Sequence, residues 1–116
     1  DFIGMDCYHG YNTRAFVANV AALSQLAKEK GKPVGVTETG LENNHTPNYW
    51  TKDCLPALKG QWCSMVVAWR NEKPSHAFGP YPSDVSADDF RTFYADEYTL
   101  FLRDLPPMYK WVNNGK

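Results

Sequence analysis

The apolar and polar positions of this chain follow two different periods, one typical of strands and one typical of helices. Short apolar runs predict three strands, at residues 2–8, 33–39 and 63–69. Apolar residues that recur at helical spacing predict three helices, at residues 14–30, 49–59 and 88–94. A long loop is predicted at 70–85, and a tail at 98–109 contains Pro106 and Pro107, which prevent a regular helix there.

The ends of the predicted helices carry recognisable signals. Thr13 is suited to cap the first helix, and Gly31 is suited to end it in a left-handed conformation. Pro56 predicts a kink or an interruption in the second helix. Residues 86–89 resemble a capping box and predict the start of the third helix.

The repeated order of strand and helix predicts an α/β fold with a parallel sheet. The third strand is continuously apolar over residues 65–68, as expected of a parallel strand buried on both faces. A (β/α)8 TIM barrel needs eight such units in roughly 250 residues. With 116 residues and three units, the chain is predicted to be the carboxyl-terminal part of a barrel or a small open sheet.

The second predicted strand ends in a carboxylate. Val34, Val36 and Glu38 alternate, so they are predicted to share one face of the strand. If the valines line a packed interior, Glu38 emerges at its mouth, which is where (β/α)8 barrels carry their chemistry. The alternative is that Glu38 is an ordinary polar residue at the end of a buried strand.

Composition and charge argue against two classes of partner. The chain has 12 Lys and Arg against 13 Asp and Glu, a net charge of −1, and its basic residues are not clustered. A nucleic-acid partner is therefore not expected. No apolar run is long enough to span a bilayer, so a membrane span is not expected either.

The cysteines and histidines predict no metal site. Cys7, Cys54 and Cys63 fit no metal-binding spacing and are interpreted as free thiols, and a nucleophilic role for Cys7 is a weak alternative. Three histidines also lack ligand-like spacing, His9, His45 and His76. Neither a metal nor another cofactor is expected.

Five segments, taken together and in order, resemble one known family. They are DFIGMDCY (1–8), TETG (37–40), VAWRN (67–71), SADDF (86–90) and LRDLP (102–106). This set resembles the last three βα units of a glycoside hydrolase family 26 enzyme, a family composed mainly of β-mannanases. The resemblance covers nearly the whole chain, so residues 1–116 are interpreted as the carboxyl-terminal portion of a single catalytic barrel.

The resemblance implies a retaining endo-β-1,4-mannanase that works by double displacement on β-mannan or manno-oligosaccharides. Such enzymes place two carboxyl groups about 5 to 5.5 Å apart. Glu38 matches the nucleophile of the family, and Tyr8 matches a tyrosine that orients it. The acid/base glutamate belongs to a segment that would precede Asp1, so the amino-terminal part of the barrel is an expected partner. The family also implies a secreted, cell-surface or periplasmic location.

Several further residues are expected to contact substrate. Trp69 matches the tryptophan that lies next to the subsite at which the family cleaves its substrate. The expected substrate-binding residues are Trp69, Arg70, Asn71, His76, Phe78 and Tyr81. Another wall of the cleft is predicted to contain Asn43, Asn44, His45 and Trp50. Glu42 is less suited to be a second catalytic acid, because it lies in a loop that would fix its position poorly.

Two other functions remain open at this point. One is a related barrel glycosidase with a different specificity, such as a β-glucanase or a xylanase. The other is a non-catalytic carbohydrate-binding half-barrel, in which Glu38 and Trp69 bind sugar without cleavage.

Overall fold

Three parallel strands form one sheet in a computed structural model that describes residues 1–43 and 46–107. The strands are β1 (Ile3–Cys7), β2 (Val34–Thr39) and β3 (Met65–Ala68), and they lie side by side in chain order. The predicted parallel sheet is therefore confirmed. Asn44 and His45 of the predicted cleft wall, and the end of the predicted tail, lie outside the described residues.

Each strand is followed by helical structure. The first and third helices are α1 (Thr13–Lys30) and α3 (Ala87–Tyr94). Between them, a π-helical segment (Tyr49–Cys54) continues directly into the short helix α2 (Leu55–Leu58). Pro56 lies in the first turn of α2, where a missing N–H group is tolerated. The predicted interruption is thus present as a change of helical winding just before Pro56.

The two ends of α1 differ in how well the sequence predicted them. Asn12, rather than Thr13, is the N-cap: its side-chain oxygen accepts a hydrogen bond from the Ala15 amide at 3.1 Å. Thr13 is already helical and donates instead to the Asp53 carboxylate at 3.0 Å, so the predicted cap was wrong by one residue. Gly31 ends the helix in the left-handed region, with φ of 59°, as predicted.

The hydrophobic core lies on one face of the sheet. Val34 and Val36 of β2 are 1% and 0% exposed, and they belong to the same buried cluster as the helical residues Phe16 and Val20. The helices that follow β1 and β2 supply most of the rest of this cluster, including Leu23, Ala27, Tyr49, Cys54 and Leu58. Helices cover this face of the sheet, and the opposite face carries the polar ends of the strands.

The third strand is the edge of the sheet and is largely exposed. Met65 and Val67 keep 44% and 39% of their surface accessible. The prediction that this strand is buried on both faces was wrong, because β3 pairs only with β2 and its Met65 and Val67 side chains lie on the face without helices.

Trp50 connects the π-helical segment to α3. Its ring meets Phe90 edge to face at a centroid distance of 5.0 Å, and its indole nitrogen donates to the Ser86 hydroxyl at 3.1 Å. The Asp89 carboxylate of α3 accepts from the Trp50 and Thr51 amides at 2.8 and 3.1 Å. The predicted place of Trp50 in a cleft wall was wrong, since the side chain is 3% exposed and belongs to the core.

Candidate active site

A β-bulge in β2 decides on which face Glu38 lies. Met5 pairs with Val36, but the next residue of β1, Asp6, pairs with Glu38. Thr37 is therefore an extra residue, and the normal alternation of the strand is broken at that point. Val36 points to the helices, whereas Glu38 lies on the same face as Asp6.

The position of Glu38 corrects the reasoning from the sequence. Val34, Val36 and Glu38 were predicted to share a face, and the bulge separates Glu38 from both valines. We call the face without helices the open face. It carries Gly4, Asp6, Tyr8, Thr37, Glu38, Met65, Val67 and Trp69.

The bulge is fitted closely against β1. The Thr37 hydroxyl donates to the Asp6 carboxylate at 2.7 Å. Across the strands, the Thr37 methyl group would lie 2.5 Å from a Cβ atom at Gly4, so only glycine leaves enough space there. Gly4 therefore permits the extra residue that positions Glu38.

Glu38 is bound by the tyrosine at the end of β1. The Tyr8 hydroxyl donates to the Glu38 carboxylate at 3.0 Å. Desolvation, followed by the hydrogen bond to Glu38 and the charges of Glu38 and Asp6, raises the pKa of Tyr8 to about 12. The Tyr8 ring also meets Phe78 nearly edge to face, with centroids 5.5 Å apart. Tyr8 is thus a neutral hydrogen-bond donor that is held from two sides.

A cleft of about 370 Å³ opens beside this pair. It is lined by Tyr8, Gly10, Gly40, Glu42, Trp69 and Phe78, and we call it the Tyr8 cleft. Trp69 follows β3 directly and stays in register, because its amide donates to the Thr39 carbonyl at 2.7 Å. The indole of Trp69, the carboxylate of Glu42 and the phenol of Tyr8 therefore line one open cleft at the carboxyl ends of the strands. Such a combination of groups is suited to binding a sugar.

The 70–85 loop folds back on itself through Asn71. The Asn71 side-chain oxygen accepts from the Phe78 and Gly79 amides at 3.0 and 2.9 Å, and its nitrogen donates to the Gly79 carbonyl at 2.8 Å. Phe78 is only 9% exposed, and its ring contacts the Tyr8 ring nearly edge to face. The amide of Asn71 is therefore engaged within the loop.

The same loop is joined to the loop that follows β2. His76 Nδ1 lies 2.9 Å from a Glu42 carboxylate oxygen, and the Asn43 amide donates to the Ala77 carbonyl at 2.7 Å. Glu42 was expected to be poorly fixed, and this expectation was wrong, because its carboxylate and the next residue are both bound. His76 itself is not among the residues that line the Tyr8 cleft.

Two predicted substrate-binding residues stand further from the cleft. Arg70 is exposed, directly after Trp69, and in the described part of the chain it has no ion pair. Tyr81 is half-buried, and its carbonyl accepts from the Asp84 amide at 2.9 Å. Neither side chain lines the Tyr8 cleft.

Glycines that sequence reasoning did not assign to the site also shape it. Gly40 has φ of 136°, and a Cβ atom there would lie 2.7 Å from Phe78 Cβ. Gly10, with φ of 53°, lines the same cleft. The signal available in the sequence was a glycine shortly after each of the first two strands, where a left-handed turn lets a loop approach closely.

A larger groove of about 520 Å³ lies elsewhere, along β3 and α3. This groove is mostly apolar, and Val66, Phe90, Phe93 and Leu100 are among the residues that line it. It shares no lining residue with the Tyr8 cleft. Of the residues predicted for the site, this groove is lined by Trp50 alone, whereas Tyr8, Trp69 and Phe78 line the Tyr8 cleft, which is therefore the better candidate for an active site.

Within residues 1–43 and 46–107, no group of three or more His, Cys, Asp or Glu side chains is arranged to hold a metal ion. None of the helices in these ranges combines the length and the apolar character needed to cross a bilayer.

The chain matches no family model, but it is similar to several solved structures. A GH26 β-mannanase from Bacteroides ovatus is 34% identical, with a TM-score of 0.85, over 100% of this chain and 35% of that protein. A GH26 protein from a Muricauda species is 28% identical, with a TM-score of 0.83, over 95% of this chain and 33% of that protein. A modular endo-β-1,4-mannanase from Cellulomonas fimi is 27% identical, with a TM-score of 0.77, over 91% of this chain and 26% of that protein.

These likenesses confirm the resemblance to glycoside hydrolase family 26, and with it a TIM-barrel type of α/β fold. The chain spans only about a third of the length of the first of these proteins, 35%.

Proposed function

Because this chain resembles glycoside hydrolase family 26 over its whole length, we propose that it forms the carboxyl-terminal portion of the catalytic barrel of a secreted, retaining endo-β-1,4-mannanase. In this proposal residues 1–116 contribute the last three βα units of a (β/α)8 barrel. The observation that carries it is the hydrogen bond of 3.0 Å between Tyr8 and Glu38, on the open face at the carboxyl ends of parallel strands. Secretion is inferred from the family alone.

In the first step, Glu38 is the nucleophile. Its free carboxylate oxygen attacks the anomeric carbon of a mannosyl unit while the glycosidic C–O bond breaks. A carboxylic acid from outside these residues gives its proton to the departing oxygen. Tyr8 holds the other oxygen of Glu38, which fixes the rotation of the carboxylate and directs the attacking oxygen towards the sugar.

In the second step, water releases the sugar. The outside carboxylate, now deprotonated, takes a proton from water, and the resulting oxygen attacks the anomeric carbon as its bond to Glu38 breaks. Two inversions at the same carbon restore the original configuration. The two carboxyl groups should lie about 5 to 5.5 Å apart in the complete barrel, since this separation is typical of retaining enzymes.

The substrate is β-mannan or a manno-oligosaccharide. The indole of Trp69 offers an apolar plate for one sugar ring, and the exposed Arg70 beside it is proposed to donate to sugar hydroxyls. Phe78 contributes by supporting Tyr8, and Asn71 by fixing the loop that carries Phe78. Tyr81 is proposed to contact a more distant sugar unit.

The test is hydrolysis of mannohexaose by the full-length protein that contains this chain. Glu38→Gln should lower kcat by roughly 10⁴-fold or more, while mannohexaose binding is largely retained, because the nucleophile is lost and the shape is kept. Glu97→Gln, an exposed glutamate outside the cleft, is the matched control and should leave kcat unchanged. Turnover of Glu38→Gln near the parent value would contradict the assignment of the nucleophile.

The same assay separates the alternatives. Hydrolysis of gluco- or xylo-oligosaccharides in preference to mannohexaose would favour a β-glucanase or a xylanase. Binding of mannohexaose without any hydrolysis by the intact protein would favour a non-catalytic carbohydrate-binding module. Rapid, Glu38-dependent cleavage of mannohexaose supports the proposal.

A further inference from the structure

Glu42 is the one charged side chain among the six residues that line the Tyr8 cleft in the described part of the chain. Its side chain is 54% exposed, so the carboxylate can reach a molecule in the cleft without first being uncovered. Trp69 lines the same space. A negative group and an aromatic plate therefore face a common volume, and the steps proposed for Glu38 give Glu42 no role.

The carboxylate of Glu42 is held in place rather than free to rotate. His76 Nδ1 binds one of its oxygens at 2.9 Å. The preceding residue, Leu41, is 3% exposed, and the following residue, Asn43, has φ of 60° and donates from its amide to the Ala77 carbonyl at 2.7 Å. Anchors before, after and at the side chain fix the carboxylate before any ligand arrives, which reduces the entropy lost on binding.

A fixed carboxylate next to an aromatic plate has a specific use in sugar binding. A pyranose ring that stacks on an indole places its apolar face on the ring and its hydroxyl groups around the rim. A carboxylate at that rim can accept hydrogen bonds from two neighbouring hydroxyls, and charge-assisted hydrogen bonds are about twice as strong as neutral ones. Mannose and glucose differ in the direction of one hydroxyl, so such a contact can distinguish them.

We propose that Glu42 binds substrate and helps to determine specificity, by accepting hydrogen bonds from adjacent hydroxyls of a sugar ring stacked on Trp69. His76 is its positioning residue, and acts on the sugar only through Glu42. The inference rests on the proposed function, because it assumes a sugar in the Tyr8 cleft. It gives His76 a different role from the direct substrate contact that the sequence suggested.

The competing explanation is that Glu42 and His76 only fasten the 70–85 loop to the loop after β2. The two explanations differ in what a change at Glu42 affects. A purely structural pair would alter the melting temperature and leave KM unchanged. A sugar ligand would alter KM and the preference for mannose, and would leave kcat nearly unchanged, because it binds ground state and transition state alike.

The experiment compares Glu42→Gln and Glu72→Gln in the full-length protein, with mannohexaose and cellohexaose as substrates. Glu72 belongs to the 70–85 loop but not to the cleft, so its variant controls for the loss of one negative charge nearby. Glu42→Gln should raise KM for mannohexaose roughly 10- to 100-fold, since this is the range for a lost hydrogen bond to a charged group. It should also reduce the preference for mannohexaose over cellohexaose, and Glu72→Gln should change neither.

A second pair of variants tests the positioning role and gives a direct binding readout. In the inactive Glu38→Gln background, adding Glu42→Gln should weaken mannohexaose binding, measured by calorimetry, by a similar factor. His76→Phe removes the support and should raise KM by a smaller factor than Glu42→Gln does. An unchanged KM for Glu42→Gln, or a loss in kcat with KM unchanged, would overturn the inference while the intact protein still cleaves mannohexaose. Failure of the intact protein to cleave would instead overturn the proposed function.

Discussion

The two faces of the sheet use the same strands for different purposes. On the helix-covered face, Val34 and Val36 are buried in the core, and on the open face Tyr8 and Glu38 form a hydrogen bond beside an open cleft. β2, a strand of six residues, supplies both valines and Glu38, and Tyr8 directly follows β1. The residues that stabilise the fold and the residues proposed for chemistry therefore lie on different faces of the sheet, and not on different strands or helices. A bulge of one residue, Thr37, brings Glu38 to the chemical side.

Among variants that keep Glu38, the largest loss of kcat is expected at Tyr8, which donates the hydrogen bond on the open face. Tyr8→Phe removes the donor to Glu38 and keeps the edge contact with Phe78. In the full-length protein we expect kcat on mannohexaose to fall roughly 100-fold with KM little changed, since the loss of one positioned donor at a reacting carboxylate has about this size. The free energy of unfolding should stay within about 0.5 kcal/mol of the parent value.

The dependence of activity on pH in the alkaline range gives a second test of the role of Tyr8. The pKa of Tyr8 is raised from 10.0 to about 12, so the folded protein keeps this proton at pH values where a free tyrosine has lost it. The contribution of Tyr8 to stability is complete below pH 10 and is lost as the pH rises through about 12. A loss of activity at pH 10 that disappears in Tyr8→Phe would contradict the assignment.

The next largest effect is the difference in the free energy of unfolding between Val→Ala substitutions on the two faces. Val36→Ala removes two methyl groups from a side chain that is 0% exposed, and should lower the free energy of unfolding by about 2 to 3 kcal/mol. Val67→Ala makes the same change at a position that is 39% exposed, and should cost less than about 1 kcal/mol. Urea unfolding of both variants of the 116-residue chain measures the difference, because the other strands of the proposed barrel would cover the open face. Equal losses would mean that the open face is covered as well as the helical face.

The smallest effect concerns His9, which lies two residues after the end of β1 and packs against the core residues Phe16 and Tyr49. Its ring stacks on Phe16 at a centroid distance of 4.3 Å. Desolvation lowers the pKa of His9 below 6.5, although the Cys7 backbone and the charge of Asp53 oppose the shift. The unfolded chain therefore binds this proton more readily than the folded chain does.

Lowering the pH should therefore decrease the free energy of unfolding through His9. The stability that comes from neutral His9 is fully present above pH 6.5 and is lost as the pH falls through its folded pKa. His9→Phe should preserve the stack on Phe16 and flatten the decline in the free energy of unfolding below pH 6.5, as urea titrations at several pH values would measure. A decline as steep as that of the parent protein would contradict this role.

Periodic features were predictable from the sequence because they depend on local chemistry. α1 begins at Thr13 and ends at Lys30, within one residue of the predicted 14–30, since its apolar stripe and its terminal glycine act locally. β2 was predicted within one residue for the same reason. The pairing of Tyr8 with Glu38 was implied by the family resemblance, in which Tyr8 matches the tyrosine that orients the nucleophile.

Features that depend on distant partners were not predictable in this way. The bulge at Thr37 leaves no trace in β2 itself, and its cause is the space provided by Gly4 in another strand. Trp50 resembled a cleft residue because it follows a loop, but Ser86 and Phe90, far along the chain, draw it into the core. The exposure of β3 depends on whether another element covers the edge of the sheet. The hydrophobic pattern of the strand does not specify this.

The Asp89 carboxylate, which accepts hydrogen bonds from the Trp50 and Thr51 amides, also has a consequence for local unfolding. α3 cannot detach from the protein without leaving these two amides unbound and exposing the ring of Trp50. The second and third helical regions should therefore open as one cooperative unit in hydrogen exchange, rather than in chain order. The exchange rates of the Trp50 and Thr51 amide protons should therefore report how often α3, which carries Asp89, opens.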